Sequence, residues 1–226
     1  MKTIILTGFT SGLGLALYNR LLTLVGEEFK LICIGRNIAR VNKVQGVSYF
    51  ELDLSELQNW STVITDIDSD SSELIFISNA SVIDPISRVG ELESNFLIRA
   101  NHVNYLNPAL LVNELIGASL GLNAKLEIVN ISSGAATKAI SGWAAYCSTK
   151  AAFKMFLDVL VTDSIENVDV QHIDPGVIDT GMQEAIRSKD SSQMRDVEYF
   201  KELQSAGKLK SASDASNEIM CKVGLS

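Results

Sequence analysis

The sequence is short of cationic residues, histidine, cysteine and proline. Nineteen Lys and Arg against 27 Asp and Glu leave a formal net charge of −8 at pH 7, and no basic cluster interrupts that balance. Such a surface repels polyanions, which disfavours nucleic acid and anionic membrane as partners. Two histidines, His102 and His172, are too few to suggest a histidine-based metal site. Cys33, Cys147 and Cys221 are odd in number and lack C-x-x-C spacing, so neither a disulfide framework nor a zinc site is indicated. Three prolines, with 46% hydrophobic and 20% charged residues, describe a globular chain and not a disordered one. No apolar run approaches the roughly 18 residues of a membrane span. Lys2-Thr3-Ile4-Ile5-Leu6 opens the chain without the pattern of a cleavable leader. The expectation is a soluble, cytoplasmic protein. No linker, repeat or low-complexity tract divides it, so 1–226 is read as one domain.

What is present is an alternation of two patterns. Short runs rich in β-branched and apolar residues predict strands at Thr3–Thr7, Lys30–Ile34, Val47–Glu51, Leu74–Ser78, Lys125–Ile131 and Val168–Ile173. They are apolar nearly throughout, as strands covered on both faces of a parallel sheet must be. Helical patterns fall between them at Gly12–Val25, Ser55–Ile67, Leu92–Leu120 and Trp143–Ser164. Strand-helix alternation of this kind predicts a doubly wound α/β fold. The polar stretch Gly181–Lys210 is patterned more weakly and reads as short helices on a mobile flap.

The residues at the predicted strand ends carry the chemistry. Strand one runs into Thr7-Gly8-Phe9-Thr10-Ser11-Gly12-Leu13-Gly14, where a helix opens. Three glycines there let the chain turn sharply and bring backbone N–H groups up to a pyrophosphate. Strand two ends in Gly35-Arg36, where an acidic residue would bind a ribose 2′-OH. A guanidinium suits a 2′-phosphate instead. Strand three ends at Asp53, whose carboxylate is placed to meet the adenine, and strand four at Ser78-Asn79-Ala80-Ser81, placed beside the nicotinamide ribose. Asn101 sits inside a predicted helix, where asparagine is a mediocre former. Strand six leads into Asp174-Pro175-Gly176-Val177-Ile178-Asp179-Thr180, a rigid turn that would lie near the nicotinamide carboxamide.

Tyr146 and Lys150 are four residues apart at the start of the last long helix, so both point into one space. A neighbouring ammonium lowers a phenol's pKa from about 10 toward the working pH, which makes a general acid/base. Ser133, ending the fifth strand, can offer a hydroxyl to the same reacting oxygen. By itself a Tyr-x-x-x-Lys pair is also what an amphipathic helix face carries by chance.

Together these residues resemble the short-chain dehydrogenase/reductase family over nearly the whole chain. The family's glycine motif matches Gly8, Gly12 and Gly14, and its catalytic Asn-Ser-Tyr-Lys set matches Asn101, Ser133, Tyr146 and Lys150. Within the family, Val129–Ser133, Gly142–Cys147 and Asp179–Gln183 look like the sepiapterin reductases and bacterial benzil reductases. The resemblance implies a Rossmann-type, three-layer αβα domain that binds NADP(H) through Gly8, Thr10, Ser11, Gly12, Leu13, Gly14, Arg36, Asp53, Leu54, Asn79, Ala80, Tyr146, Lys150, Pro175, Gly176, Ile178 and Thr180. It implies reduction of a small-molecule ketone or diketone. Tyr146 would be the general acid, Ser133 a donor to the carbonyl oxygen, and Lys150 a holder of the ribose hydroxyls. Asn101 would position a water behind Lys150. Ser133, Trp143, Tyr146 and Met182 would contact substrate, beside Ile83. A homodimer through the two long helices is expected.

Two departures stand out. Ser81 replaces the glycine of the family's N-N-A-G stretch, and the sequence after the last helix leaves no segment for a seventh strand. With that strand goes the C-terminal aspartate that anchors a pterin, so a pterin reductase would need another acid such as Asp84 or Asp179. A non-catalytic NADP(H)-binding sensor is the rival from a different class, and fold alone does not exclude it.

Overall fold

A computed structural model describes residues 1–26 and 28–225. Glu27 and Ser226, which the single-domain expectation over 1–226 includes, lie outside the described residues. In chain order the elements are β1 Lys2–Thr7, α1 Gly12–Leu21, β2 Phe29–Gly35, β3 Val47–Glu51, α2 Ser61–Thr65, β4 Glu73–Ser78, α3 Ser94–Asn101, α4 Asn107–Leu122, β5 Lys125–Ile131, α5 Ala144–Asp163, β6 Val168–Ile173, α6 Gly181–Arg187, α7 Val197–Ser205 and α8 Ala212–Lys222. A π-helical turn, His102–Leu106, joins α3 to α4 without a break.

All six strands pair in parallel, in the order β3-β2-β1-β4-β5-β6. The side-chain period of two divides each apolar strand between two cores. Ile4, Leu6, Leu31, Cys33, Ile75 and Ile77 face one side, where Leu13, Leu17, Ile219 and Met220 of α1 and α8 cover them. Ile5, Ile32, Ile34, Leu74 and Phe76 face the other, under Leu111, Val112 and Leu115 of α4 and Phe153 and Leu157 of α5. The result is the expected three-layer αβα sheet. The edge strands β3 and β6 are only partly covered, and no seventh strand follows β6 among the described residues. No helix among them is long and apolar enough to cross a membrane.

Strand order reverses between β1 and β4, and the crevice outside the carboxyl ends of strands at such a reversal is where this architecture takes ligands. The loops after β1, β4, β5 and β6 therefore share one site by topology alone.

One predicted helix largely fails to form. Of Ser55–Ile67 only Ser61–Thr65 is helical. The segment before it is held by side chains that outbid helical hydrogen bonds. Asp53 Oδ1 accepts from the Ser55 N–H and hydroxyl at 3.0 and 2.9 Å. The buried Asn107 amide, at the start of α4, donates to the Leu54 and Glu56 carbonyls at 2.8 and 2.7 Å and accepts from the Gln58 N–H at 3.0 Å. Three backbone groups thus depend on one side chain. Asn107→Ala is expected to lower the free energy of unfolding by about 2–3 kcal/mol, since it leaves buried polar groups unpaired. Urea denaturation measures this, and a loss below about 0.5 kcal/mol, the range of an ordinary surface change, contradicts it.

Candidate functional site

The first wall of the crevice is the turn after β1. Gly8 has φ +73°, and a Cβ there would come within 2.7 Å of Ala80 Cα. A Cβ on Gly14 would overlap the Gly8 carbonyl oxygen, and it would lie 2.5 Å from Asn79 Nδ2. Only glycine fits at either position. Asn79 ties this turn to β4, its Nδ2 donating to the Thr7 and Gly8 carbonyls at 3.1 Å each. The Thr7 hydroxyl accepts from the N–H groups of Asn79 and Ala80. Gly12 faces Thr180, the end of the loop after β6, 3.3 Å from where its Cβ would be. The opening turn of α1 carries no side-chain cap, so its N–H groups stay available to an anion. This cradle fits a dinucleotide pyrophosphate. Thr10 is half-buried, Ser11 exposed and Leu13 in the core.

Arg36 and Asp53, at the ends of β2 and β3, pair at 3.5 Å with both side chains about half exposed (48% and 46%). Burial pushes the Asp53 carboxyl up, but hydrogen bonds from Ser55 and the Arg36 guanidinium outweigh it and hold the group below its ordinary value. Leu54 turns its side chain into the core, so the crevice can meet only its backbone. Ile178 is likewise a core residue, bridged to Lys210. Pro175 and Gly176 form a turn in which the Gly176 N–H donates to Asp174 Oδ1 at 2.9 Å.

Ser133 leaves β5 in extended conformation, and its hydroxyl accepts from the Ala135 N–H at 3.2 Å. Tyr146 and Lys150 lie on the inner face of α5, 6% and 5% exposed. Lys150 Nζ donates to the Ile131 carbonyl at 2.8 Å and stands 5.9 Å from the centre of the Tyr146 ring. The sequence brings these three groups together as expected, but the electrostatics differ. Burial pushes the Tyr146 phenol above its ordinary value, opposed by hydrogen bonding to Ser133 and Ser81. Burial also lowers Lys150 to about 8. In the protein alone the phenol is therefore raised where a lowering was expected, because burial disfavours both charged forms.

Asn101 is also corrected. It ends α3 with its side chain exposed to solvent. Asn104, in the π-helical turn, is 2% exposed and faces the site. Its Oδ1 accepts from the Val82 N–H at 2.8 Å, and its Nδ2 donates to the Val82 carbonyl at 2.8 Å and to Thr149 Oγ1 at 3.0 Å. A signal for this existed. Ala100, Val103, Asn104, Asn107, Leu111, Val112 and Leu115 are all buried and follow helical spacing, from which Asn101 is displaced.

Trp143 and Ile83 share an apolar cluster with Tyr146, a wall against which Met182 packs. The sequence reading missed Ile86, Met194, Val197 and Phe200, which complete that wall. Trp143 packs on Phe200 with ring centres 5.4 Å apart and edge-on to Tyr146 at 5.7 Å, while its Nε1 donates to Met194 Sδ at 3.3 Å. A Cβ on Gly142 would meet the Gln193 carbonyl oxygen at 2.5 Å, so the 181–210 segment sits directly on the site. Val197, Phe200 and Leu203 recur at three-residue spacing in α7, a pattern visible in the sequence.

Three comparisons bear on this geometry. The family model for short chain dehydrogenases matches residues 2–191. The chain is 32% identical to the benzil reductase ((S)-benzoin forming) of Bacillus cereus, over 93% of this chain and 89% of that protein. A shorter match, 34% over 118 residues, links it to the sepiapterin reductase of Rattus norvegicus, covering 50% of this chain and 44% of that one. In fold it is similar to the crystal structure of the KRED1-Pglu enzyme, with a TM-score of 0.83 at 24% identity, over 96% of this chain and 92% of that one. With the glycine cradle, the parallel sheet and the Ser133–Tyr146–Lys150 grouping in place, the chain belongs to the short-chain dehydrogenase family of oxidoreductases.

Proposed function

We propose that this protein reduces an apolar ketone or diketone with NADPH. The observation that carries the reading is the meeting of Ser133, Tyr146 and Lys150 between a glycine cradle and a wall of Ile83, Trp143, Met194 and Phe200. A dinucleotide whose pyrophosphate was held by the cradle would supply the hydride. The protein's own residues do the rest. The first-turn amides of α1 hold the pyrophosphate. Arg36, exchanging Asp53 for a stronger anion, holds the 2′-phosphate, and Lys150 the ribose hydroxyls. Ser133 donates a hydrogen bond to the substrate's carbonyl oxygen, and Tyr146 gives it a proton as negative charge develops. A phenol held in its neutral form by burial is charged with its proton at neutral pH, the state a reductase needs.

Asn104 takes the place first assigned to Asn101. Its amide is saturated by Ser81, Val82 and Thr149, so it acts by fixing the loop after β4 against α5. The apolar wall favours an aromatic or aliphatic carbonyl compound over a phosphorylated one, which agrees with the benzil reductase named above. As partner we propose a second copy of the chain, through Leu110 and Leu120 of α4 and Met155 and Val159 of α5, all exposed.

Turnover is read as loss of NADPH fluorescence with benzil and related diketones. Tyr146→Phe is expected to lower kcat roughly 10²–10⁴-fold, and Arg36→Ala to raise KM for NADPH roughly 10–100-fold with little change for NADH. Tight NADPH binding without turnover on any dicarbonyl contradicts the reading and favours a sensor. Sedimentation velocity is expected to find a dimer that Met155→Lys dissociates, and a monomeric wild type would rule it out.

A further inference from the structure

The proposed chemistry leaves unused a chain of four polar side chains between α5 and the sheet edge. Asn130 of β5 is 1% exposed, and its Nδ2 lies 3.0 Å from His172 Nδ1 on β6. His172 Nε2 lies 3.1 Å from Asp158 Oδ1 on α5, and Lys154 Nζ donates to Asp158 Oδ2 at 2.7 Å. Asn130 Oδ1 is buried with no hydrogen-bond partner among the described residues. Asn130 precedes Ile131, whose carbonyl holds Lys150 Nζ at 2.8 Å. Lys150, Lys154 and Asp158 follow one another at four-residue steps along α5. The chain therefore fastens to the sheet the stripe of helix that carries the lysine of the site.

These contacts fix the protons. The bond from Lys154 holds the Asp158 carboxyl below its ordinary value, so it is ionised and only accepts. His172 Nε2 must then carry a hydrogen. Burial holds the imidazole below its ordinary value against the pull of Asp158, so near neutrality Nδ1 is a bare lone pair that takes an N–H of Asn130. Facing the ring are thus Asn130 from β5 and, from α5, Asp158 and Lys154, whose charges act in opposite senses. Once the ring gains a second proton, Nδ1–H confronts the Asn130 N–H, donor against donor. The unpartnered Oδ1 is the remedy, since a half-turn of the carboxamide sets it against Nδ1–H. One carboxamide atom lacks a partner in either setting, so the two differ little in what they strand.

We propose that Asn130 and His172 form a two-position switch, in which protonation of the imidazole turns the carboxamide over and α5 stays fastened to β5 and β6 on both sides of the titration. The proton comes from solvent, which reaches the His172 side chain, 22% exposed.

The test is the His172 titration, followed by NMR of the ring nitrogens from about pH 8 to 5 in the wild type and in Asn130→Leu, which is of similar size and removes both settings. Hydrogen bonds to a charged group are roughly twice as strong as neutral ones. Leucine therefore takes more from the imidazolium than from the imidazole, and the midpoint is expected to fall by about half to one pH unit. With a carboxamide that could not turn, leucine would remove only a donor that favours the neutral ring, and the midpoint would rise. A midpoint that rises or stays overturns the proposal. The wild type gives a second reading that does not depend on the variant folding. Its neutral ring is expected as the Nε2–H tautomer, and the Asn130 amide protons are expected to lose their hydrogen bond, moving upfield, at the His172 midpoint. An Asn130 amide indifferent to that titration contradicts the switch.

Discussion

One buried amide ties the loop after β4 to the helix that carries Tyr146 and Lys150. Asn104 lies in the π-helical turn between α3 and α4, and all its hydrogen-bonding directions are used, toward Val82, Ser81 and Thr149. Those partners belong to the loop after β4 and to α5, the helix that carries Tyr146 and Lys150. The sheet brings these elements near one another, but sheet packing leaves loops and helix rotations imprecise by more than chemistry tolerates. A saturated amide in a water-poor interior removes that freedom, because any shift strands a polar group. The glycine turn is joined to the same assembly through Asn79, which donates to Thr7 and Gly8. π-Turns are often retained at functional positions, and Asn104 lies in one.

Around that anchor, burial sets the protonation states. Lys150 is lowered to about 8 and the Tyr146 phenol is raised. Burial favours the neutral form of each group, and Lys150 at about 8 is still largely an ammonium at neutral pH. At the phenol, hydrogen bonding opposes the effect of burial. The wall of Trp143, Met194 and Phe200 maintains the low dielectric that makes those bonds strong.

Much of this was legible in the sequence. The six strands appeared within a residue of their observed limits, because strands buried on both faces are uniformly apolar. The glycine turn and the Ser133, Tyr146 and Lys150 grouping were legible because each sits at a strand end or helix start with a fixed spacing. Long-range side-chain capture was not. Asn107 unravels the segment before α2 by binding Leu54, Glu56 and Gln58, residues about 50 positions away. Asn101 and Asn104 both fall in one predicted helix, and what separates them is the apolar seam, on which Asn104 is buried while Asn101 is exposed. Met194 and Phe200 were missed because their segment is polar overall and gains its order by packing on Trp143.

The most direct test compares the two asparagines. Asn104→Ala and Asn101→Ala are assayed for diketone reduction, with circular dichroism to establish that each is folded. The account predicts that Asn104→Ala lowers kcat on the order of 10²-fold while folded, and that Asn101→Ala, on the surface, turns over as the wild type does. Full activity in a folded Asn104→Ala, or its loss in Asn101→Ala, would contradict the claim that the Asn104 amide holds the site.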